Sequence, residues 1–317
     1  MACLFLFCLH IAIVNSLVPT SFTEGGGYVL PSFELAAGGV AGRDHRRGVP
    51  TNYQDAYCIR YGRNAITAVV ADGCSSGERS EVGAAIGVEM LTTLLHRQLD
   101  RGYPPSRHLL ARVQRQLVSQ LDVLAQMMGE SLSEVVNRFM LFTLLGVIIT
   151  EETAFFFALG DGVVAINGTV MTLEVGGDIL NPASKPTVSN QPIYLAYALT
   201  GSELTDDEPT KLDFRIIAHM PVGQLEYFLL GTDGVTDIIS RADDCLPGRD
   251  EQVGSLSQFW ETDRAFRNRK AVTMRLNLMA RDVFAPSPGG GRVLYGGLLG
   301  DDTTLVVGRR APAEQED

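Results

Sequence analysis

Four stretches of the chain break in the same way. The run "AITAVVADG" ends at Asp72-Gly73, "FFFALGDG" at Asp161-Gly162 and "YFLLGTDG" at Asp233-Gly234. Near the C-terminus, Asp301-Asp302 divides the apolar runs of "LYGGLLGDDTTLVVG". Short apolar runs rich in β-branched and aromatic residues read as buried strands. Asp-Gly after such a run is a strong hairpin signal. Asp161-Gly162 fits a simple turn best, because another strand follows at once. Asp72-Gly73 fits poorly, because the pattern after it is helical. Asp233-Gly234 is intermediate, since "VTDII" can begin a helix or a strand. At Asp301-Asp302 two adjacent carboxylates repel unless something positive intervenes.

The remaining pattern places these breaks in a fold class. A strand is expected over Phe33 to Val40, and "GRDHRRGVPTNYQD" is expected to be loop. "AYCIRYG" and "AITAVVA" read as a hairpin around Gly62-Arg63-Asn64. Ser75 and Glu78 have capping-box spacing. Val82, Ile86, Met90 and Leu94 then predict an amphipathic helix over about Glu78 to Leu99, with Gly83, Ala84 and Gly87 allowing close approach to a sheet. A second helix is expected from Ser106 to Met128 on Leu109, Val113, Leu117 and Leu121, and a shorter one from Leu132 to Arg138. "FTLLGVIIT", "TAFFFALG" and "VVAINGTVMTLE" read as consecutive antiparallel strands. Gly176 to Met220 reads as an excursion ending in the strand "RIIAHM". Arg241 to Gly291 is more helical, clearest at "TMRLNLMARDVF", and "TTLVVG" closes the chain as a strand. Strands and helices come in blocks rather than strict alternation, which predicts an α+β fold with antiparallel sheets. The expected organisation is an apolar leader and lead-in over 1–28, one domain over 29–310 and a polar tail over 311–317.

Composition narrows the function. The 317 residues are 45% hydrophobic with a formal net charge of -11. That balance suits a globular chain and excludes sequence-independent nucleic-acid binding, which needs clustered cations. The basic cluster "RAFRNRKAVTMR" reads either as a docking patch or as a solvated helix face. Five cysteines without a Cys-x-x-Cys pair argue against a disulfide framework or zinc site. A reducing, cytoplasmic location follows. The N-terminal "MACLFLFCLHIAIVNSLV" leaves an alternative, export by a signal segment, although no Lys or Arg precedes its apolar run and no membrane span is expected. An upstream start artefact and an ordinary packed segment also stay open. His96, His108 and His219 lack ligand spacing and read as structural.

Two readings of the aspartates compete. They can be turns. They can also be ligands, because hard divalent cations take carboxylate, carbonyl and water oxygens. Strand ends aim short carboxylates rigidly, and Gly after Asp permits close backbone approach.

In order, "NYQDAYCI", "VVADGCSSGERSEVGA", "FALGDGVV", "LLGTDGVTDI" and "GDDTTLVV" resemble the type 2C, or PPM-type, metal-dependent Ser/Thr protein phosphatases, with a bacterial-like branch nearest. The resemblance runs from about Gly38 to Val307. It implies a four-layer αββα sandwich: two antiparallel sheets face to face, flanked by helices. It also implies a phosphomonoester hydrolase acting on phosphoserine and phosphothreonine proteins through a binuclear Mn2+ or Mg2+ centre and a bridging hydroxide. By position, Asp72 bridges both metals and Gly73 lends its carbonyl. Asp233 and Asp301 ligate the other metal, and Asp55 holds a metal-bound water. Asp161 and Asp237 match positions for a third, weaker metal. The expected partner is a phosphorylated protein, with oligomeric state open.

Three positions depart from the family pattern. Gln54 stands where many members carry Glu, and Pro50 where many carry a phosphate-gripping Arg. Cys74 stands where many carry His as a general acid. His45, Arg46 and Arg47 are the candidate replacements for the phosphate grip. The departures keep open a second reading, a catalytically weak or inactive phosphatase-fold module. A third reading makes every Asp-Gly site a plain turn and keeps Asp72, Asp233 and Asp301 far apart.

Overall fold

The structure, a computed structural model, describes residues 32–46, 53–174, 193–200, 212–286 and 291–311. The expected leader, the polar tail after 311, Arg47, Pro50 and most of the 176–220 excursion lie outside the described residues. Along the chain, strand β1 (Phe33–Val40) leads through the short helix α1 (Arg43–Arg46) to strands β2 (Ala56–Tyr61) and β3 (Ile66–Ala71). Helices α2 (Ser80–Leu99), α3 (Arg107–Met127) and α4 (Leu132–Phe139) follow. Next come β4 (Leu144–Ile149), β5 (Thr153–Leu159), β6 (Gly162–Ile166), β7 (Thr169–Leu173) and the turn of helix α5 (Tyr197–Thr200). The last part holds β8 (Arg215–Pro221), β9 (Tyr227–Gly231), α6 (Val235–Ser240), α7 (Arg264–Arg267), α8 (Ala271–Ala280), β10 (Val283–Pro286), β11 (Arg292–Tyr295) and β12 (Thr303–Arg310).

Two five-stranded sheets result, ordered β1-β12-β9-β6-β7 and β2-β3-β4-β5-β8. All their pairings are antiparallel. The α+β class and the four-layer sandwich are therefore present. The central strands β3, β4, β5, β6, β9 and β12 are apolar on both faces because each face meets a different core. In β3, Ile66, Ala68 and Val70 join the core between the sheets, with Val147, Phe156, Val164, Phe228, Leu230 and Val306. Val69 and Ala71 point the other way, into the core shared with Leu91 and Leu95 of α2 and Leu117 and Leu121 of α3. On the outer side of the first sheet, Leu305 and Val307 pack with Leu276 and Met279 of α8. Period-two alternation within an unbroken apolar run thus specifies three cores and four layers. Each fully buried Leu in them contributes roughly 1.5–3 kcal/mol over exposure.

Local expectations fail in several places. Arg43–Arg46, expected to be loop, forms the short helix α1. Asp161-Gly162 is not a hairpin, because β5 and β6 belong to different sheets. The residues between them are the corner where the chain crosses from one sheet to the other. The Ser75/Glu78 capping box does not form. Helix α2 starts after Arg79 without a side-chain cap, and Arg79 N–H instead donates to the Arg138 carbonyl at 2.8 Å. The buried stripe of α2 runs through Ala84, Val88, Leu91 and Leu95, while Val82, Ile86 and Met90 are only half-buried. Gly83 and Gly87 approach Phe139, Met140 and the Phe142 ring rather than a strand interior. Finally, helix α8 stops at Ala280 and "VFAP" pairs with β11 as a small ribbon. The capping box at Ser131 and Glu134 and the cap by Ser106 start α4 and α3 where their patterns begin. Among the described residues no helix is long and apolar enough to cross a membrane.

Candidate active site

Antiparallel register brings the aspartates together. In the second sheet Ala56 pairs with Ala71 and Leu144 with Leu159. The residues just beyond, Asp55, Asp72, Thr143 and Gly160-Asp161, therefore share one edge. In the first sheet Thr303 pairs with Val40, Leu305 with Gly231, and Val163 with Gly231. Asp301, Asp233 and Asp161 therefore share one edge too. Asp161 belongs to both edges, so the crossover at Gly160-Asp161 joins them.

The result is a cavity of about 310 Å³ lined by Asp72, Gly73, Asp161, Asp233 and Asp301, with Cys74, Ser75, Ser76, Leu141, Tyr194 and Tyr197 completing its wall. The Asp72 backbone is pinned to the start of β4: Thr143 N–H donates to the Asp72 carbonyl at 2.8 Å, and Asp72 N–H donates to Thr143 Oγ1 at 3.2 Å. A side chain at Gly73 would meet the Gln54 carbonyl at 2.6 Å. Only glycine lets these two segments touch, which explains the Gly after Asp72.

Like charge dominates the electrostatics. Burial pushes the Asp72 carboxyl well above its ordinary range, and Asp55, Asp233, Asp301 and Asp161 push it further. Burial and then Asp301 and Asp161 raise Asp233 to about 7. Burial likewise raises Asp161. Asp55 is 5% exposed; burial and then Asp302 raise it, against a 2.8 Å hydrogen bond donated by Thr232 Oγ1 to its Oδ2. Its Oδ1, and Oδ1 of Asp161, are buried without any hydrogen-bond partner. Asp161 lines the cavity while Asp55 does not; buried, unpartnered carboxylate oxygens are costly unless a cation offsets them. The donor set is all oxygen and suits Mg2+ or Mn2+.

Asp301 and Asp302 separate in role. Asp302 is 1% exposed and accepts from Gly42 N–H at 2.8 Å and Gln54 N–H at 2.6 Å. His45 Nδ1 lies 2.9 Å from Asp302 Oδ2, and its Nε2 lies 3.6 Å from Asp301 Oδ1. Two backbone N–H groups thus offset the Asp302 carboxylate, and the His45 ring lies between the oxygens of the pair. His45, Asp301 and Asp302 place ligand atoms within 4.8 Å of one another.

The other candidates are placed as follows. Arg46 donates to the Ala280 carbonyl at the end of α8 and is not part of the cavity lining. That bond ties it to a helix end. Asp237 accepts from Gly300 N–H at 2.6 Å and sits 3.9 Å from Arg241, beside the cavity rather than in its lining. Gln54 turns its amide away from the carboxylates and donates to Gly77 O at 3.0 Å and Ser80 Oγ at 2.7 Å. The amide staples the loop after Asp72, work that a carboxylate cannot do against a carbonyl. Burial raises the Cys74 thiol, but hydrogen bonds from Ser76 and Tyr194 outweigh it and leave its pKa below the ordinary value. Tyr194 and Tyr197 gave no sequence signal, because "PIYLAYALT" has neither strand nor helix length.

The architecture is thus a sandwich of two antiparallel sheets with a carboxylate-lined cavity at one edge. Comparison with protein families narrows it: the protein phosphatase 2C family matches residues 41–272, and the chain belongs to that family. A Streptococcus agalactiae serine/threonine phosphatase shares the fold at 16% identity and TM-score 0.50, over 88% of this chain and 100% of that one. The serine/threonine phosphatase Stp1 from Staphylococcus aureus aligns at 13% identity and TM-score 0.46, over 93% and 100% of the two chains. PppA of Pseudomonas aeruginosa, described as a key regulatory component of T6SS, aligns at 15% and 0.48, over 89% and 99%. A comparison with curated protein sequences gives no match.

Proposed function

We propose that the protein is a metal-dependent phosphomonoester hydrolase of phosphoserine and phosphothreonine proteins. The observation that carries this reading is the set of four aspartates, Asp72, Asp161, Asp233 and Asp301, lining one cavity. Asp72 and the Gly73 carbonyl, with Asp233 and Asp301, would hold two Mn2+ or Mg2+ ions, and Asp161 faces the place for a weaker third. Asp237, next to Gly300, supports that third place from outside the lining. Bound there, such ions would lower the pKa of a coordinated water to near neutrality and offset phosphoryl charge.

The chain's own groups do the rest. Asp55, held by Thr232, would orient a water by accepting a hydrogen bond from it at its unpartnered Oδ1. Asp302 locks Gly42 and Gln54, and so the start of β2, against the Asp301 loop. His45 keeps Asp301 and Asp302 together by lying between their oxygens. The Ser75 and Ser76 hydroxyls and backbone at the start of the 74–80 loop offer hydrogen bonds to an entering phosphate. Location in the cytoplasm is part of this proposal, resting on the unpaired Cys58, Cys74 and Cys245.

The departures at Gln54, Pro50 and Cys74 sustain a second reading, an inactive binding module. The two part on one assay: phosphate release from a phosphothreonine peptide with Mn2+, repeated with EDTA and with Asp72→Asn. The hydrolytic reading expects release that chelation and the substitution each cut by at least about a hundredfold. Release indifferent to EDTA overturns it, and no release with Mn2+ bound supports the module.

A further inference from the structure

The His45 ring sits against the aspartate pair without an aligned hydrogen bond to either member. Its side chain is only 17% exposed, and its Nδ1 is buried with no hydrogen-bond partner among the described residues. Asp302 Oδ2 is 2.9 Å away, but both Asp302 oxygens already accept backbone N–H groups, from Gly42 and Gln54. The other ring nitrogen, Nε2, stands 3.6 Å from Asp301 Oδ1, too far for a hydrogen bond. A buried ring nitrogen left unpaired is costly, and a ligand that completes the ring removes the cost. The ring is nevertheless held in place by the backbone. Helix α1, which carries His45, donates Arg43 N–H to Leu299 O at 2.9 Å and Asp44 N–H to Gly300 O at 3.1 Å. Those bonds tie the helix to the segment that ends in Asp301.

The spacing suits two ligands of one cation. Ligands bonded to one ion at about 2.0–2.2 Å lie roughly 3–4 Å from each other. Nε2 and Asp301 Oδ1 fall in that range, and a ring nitrogen and one oxygen from each aspartate lie within 4.8 Å of one another. Asp301 Oδ1 accepts the Asp302 N–H at 2.8 Å and keeps a second lone pair for an ion. With Nε2 on a cation, Nδ1 carries the ring proton and faces the Asp302 carboxylate. A carboxylate behind the free nitrogen is what orients a ligating imidazole. Asp301 also lines the cavity, which His45 does not. It is therefore the group through which the ring and the other cavity carboxylates meet.

We propose that His45 is a nitrogen ligand for the cation on Asp301, so that this ion is a first-row transition metal rather than Mg2+. The proposal rests on the hydrolytic reading above for the ion itself and adds its donor and its class. Carboxylate, carbonyl and water oxygens accept Mg2+ and Mn2+ alike. A neutral imidazole suits Fe2+, Co2+ or Zn2+ and adds little for Mg2+. The cavity lining beside Asp72 and Gly73 contains no imidazole, so the ion held there is not selected in this way. The two halves of the centre thus differ in the metal they prefer.

The test uses the full chain stripped of metal. Loaded with Mn2+ as a paramagnetic probe, it should show nitrogen hyperfine coupling in pulsed electron paramagnetic resonance. His45→Gln should lose that coupling while keeping the circular dichroism of the parent. Calorimetric titrations with Co2+ and with Mg2+ give the second readout. The substitution should weaken Co2+ binding at least about tenfold and Mg2+ binding by no more than about twofold. Bound Mn2+ without nitrogen coupling in the unsubstituted chain overturns this proposal alone and leaves the hydrolytic reading standing. Coupling that persists in His45→Gln also overturns it, because the nitrogen then belongs to another residue. An equal loss of Co2+ and Mg2+ binding does the same, because the ring would then only hold Asp301 in place. No Mn2+ bound at millimolar concentration overturns this proposal and the hydrolytic reading together.

Discussion

Asp301 and Asp302 are chemically identical neighbours with different work. Asp302 is buried and satisfies two backbone N–H groups from the first part of the chain. Its neighbour's side chain is 51% exposed and faces the cavity. Removing the Asp302 carboxylate leaves two buried donors unpaired at about 1–3 kcal/mol each. Asp302→Ala should therefore lower the free energy of unfolding by about 2–5 kcal/mol, and Asp301→Ala, a surface change, by no more than about 0.5 kcal/mol. Urea denaturation in EDTA measures both, and equal effects would contradict the division. Asp233 supplies a pH dependence. Its pKa rises from 3.8 in an unfolded chain to about 7 in the fold, through burial and then Asp301 and Asp161. The folded chain thus keeps a proton that the unfolded chain has released. The stabilisation is complete below about pH 4 and is lost as pH rises towards and through 7, at up to about 1.4 kcal/mol per pH unit for one proton. Thermal melts in EDTA should give a lower Tm at pH 8 than at pH 5. Saturating Mn2+ should reverse that order, because cations compete with protons for the same oxygens. A Tm unchanged across this range in EDTA would contradict the picture of crowded carboxylates.

At the scale of elements, patterns of composition were legible and relations between elements were not. Strand β1 and helices α3 and α4 lie close to where the sequence pattern put them. The Asp161-Gly162 corner was misread because a hairpin and a crossover between stacked sheets look alike from inside one run: both join two apolar strands through Asp-Gly. The stripe of α2 was misread for a related reason. That helix is apolar on more than one side, touching the sheet with Ala84, Val88, Leu91 and Leu95 and the segment 139–142 with Gly83 and Gly87. A Cβ at Gly83 would lie inside van der Waals distance of the Phe139 carbonyl, a backbone atom that cannot rotate away. Gly83→Ala gains about 1 kcal/mol of helix propensity but forces α2 off α4. It should destabilise the protein on balance by about 1–2 kcal/mol. A Tm that rises in Gly83→Ala would show that the two helices have room to part.

For the whole molecule, function follows from how two antiparallel sheets close on one corner. Each aspartate is a strand-end residue, legible as such in the sequence, yet their meeting depends on register. Ala56 opposite Ala71 and Leu305 opposite Gly231 decide it, and neither pairing is written in a local pattern. The resemblance of five ordered motifs to type 2C phosphatases pointed to the meeting before register did. What neither route disclosed was the pair of tyrosines in the cavity wall, Tyr194 and Tyr197, from a short segment with no periodicity, or the turning of Gln54 away from the carboxylates towards Ser80. The proposed function requires that Asp72, Asp233 and Asp301 hold a pair of dications. Calorimetric titration of the metal-free chain with Mn2+ should give two ions bound per chain, and at most one weakly held ion in Asp72→Asn with its folded secondary structure intact. No Mn2+ bound at millimolar concentration, or binding unaltered by Asp72→Asn, would contradict it.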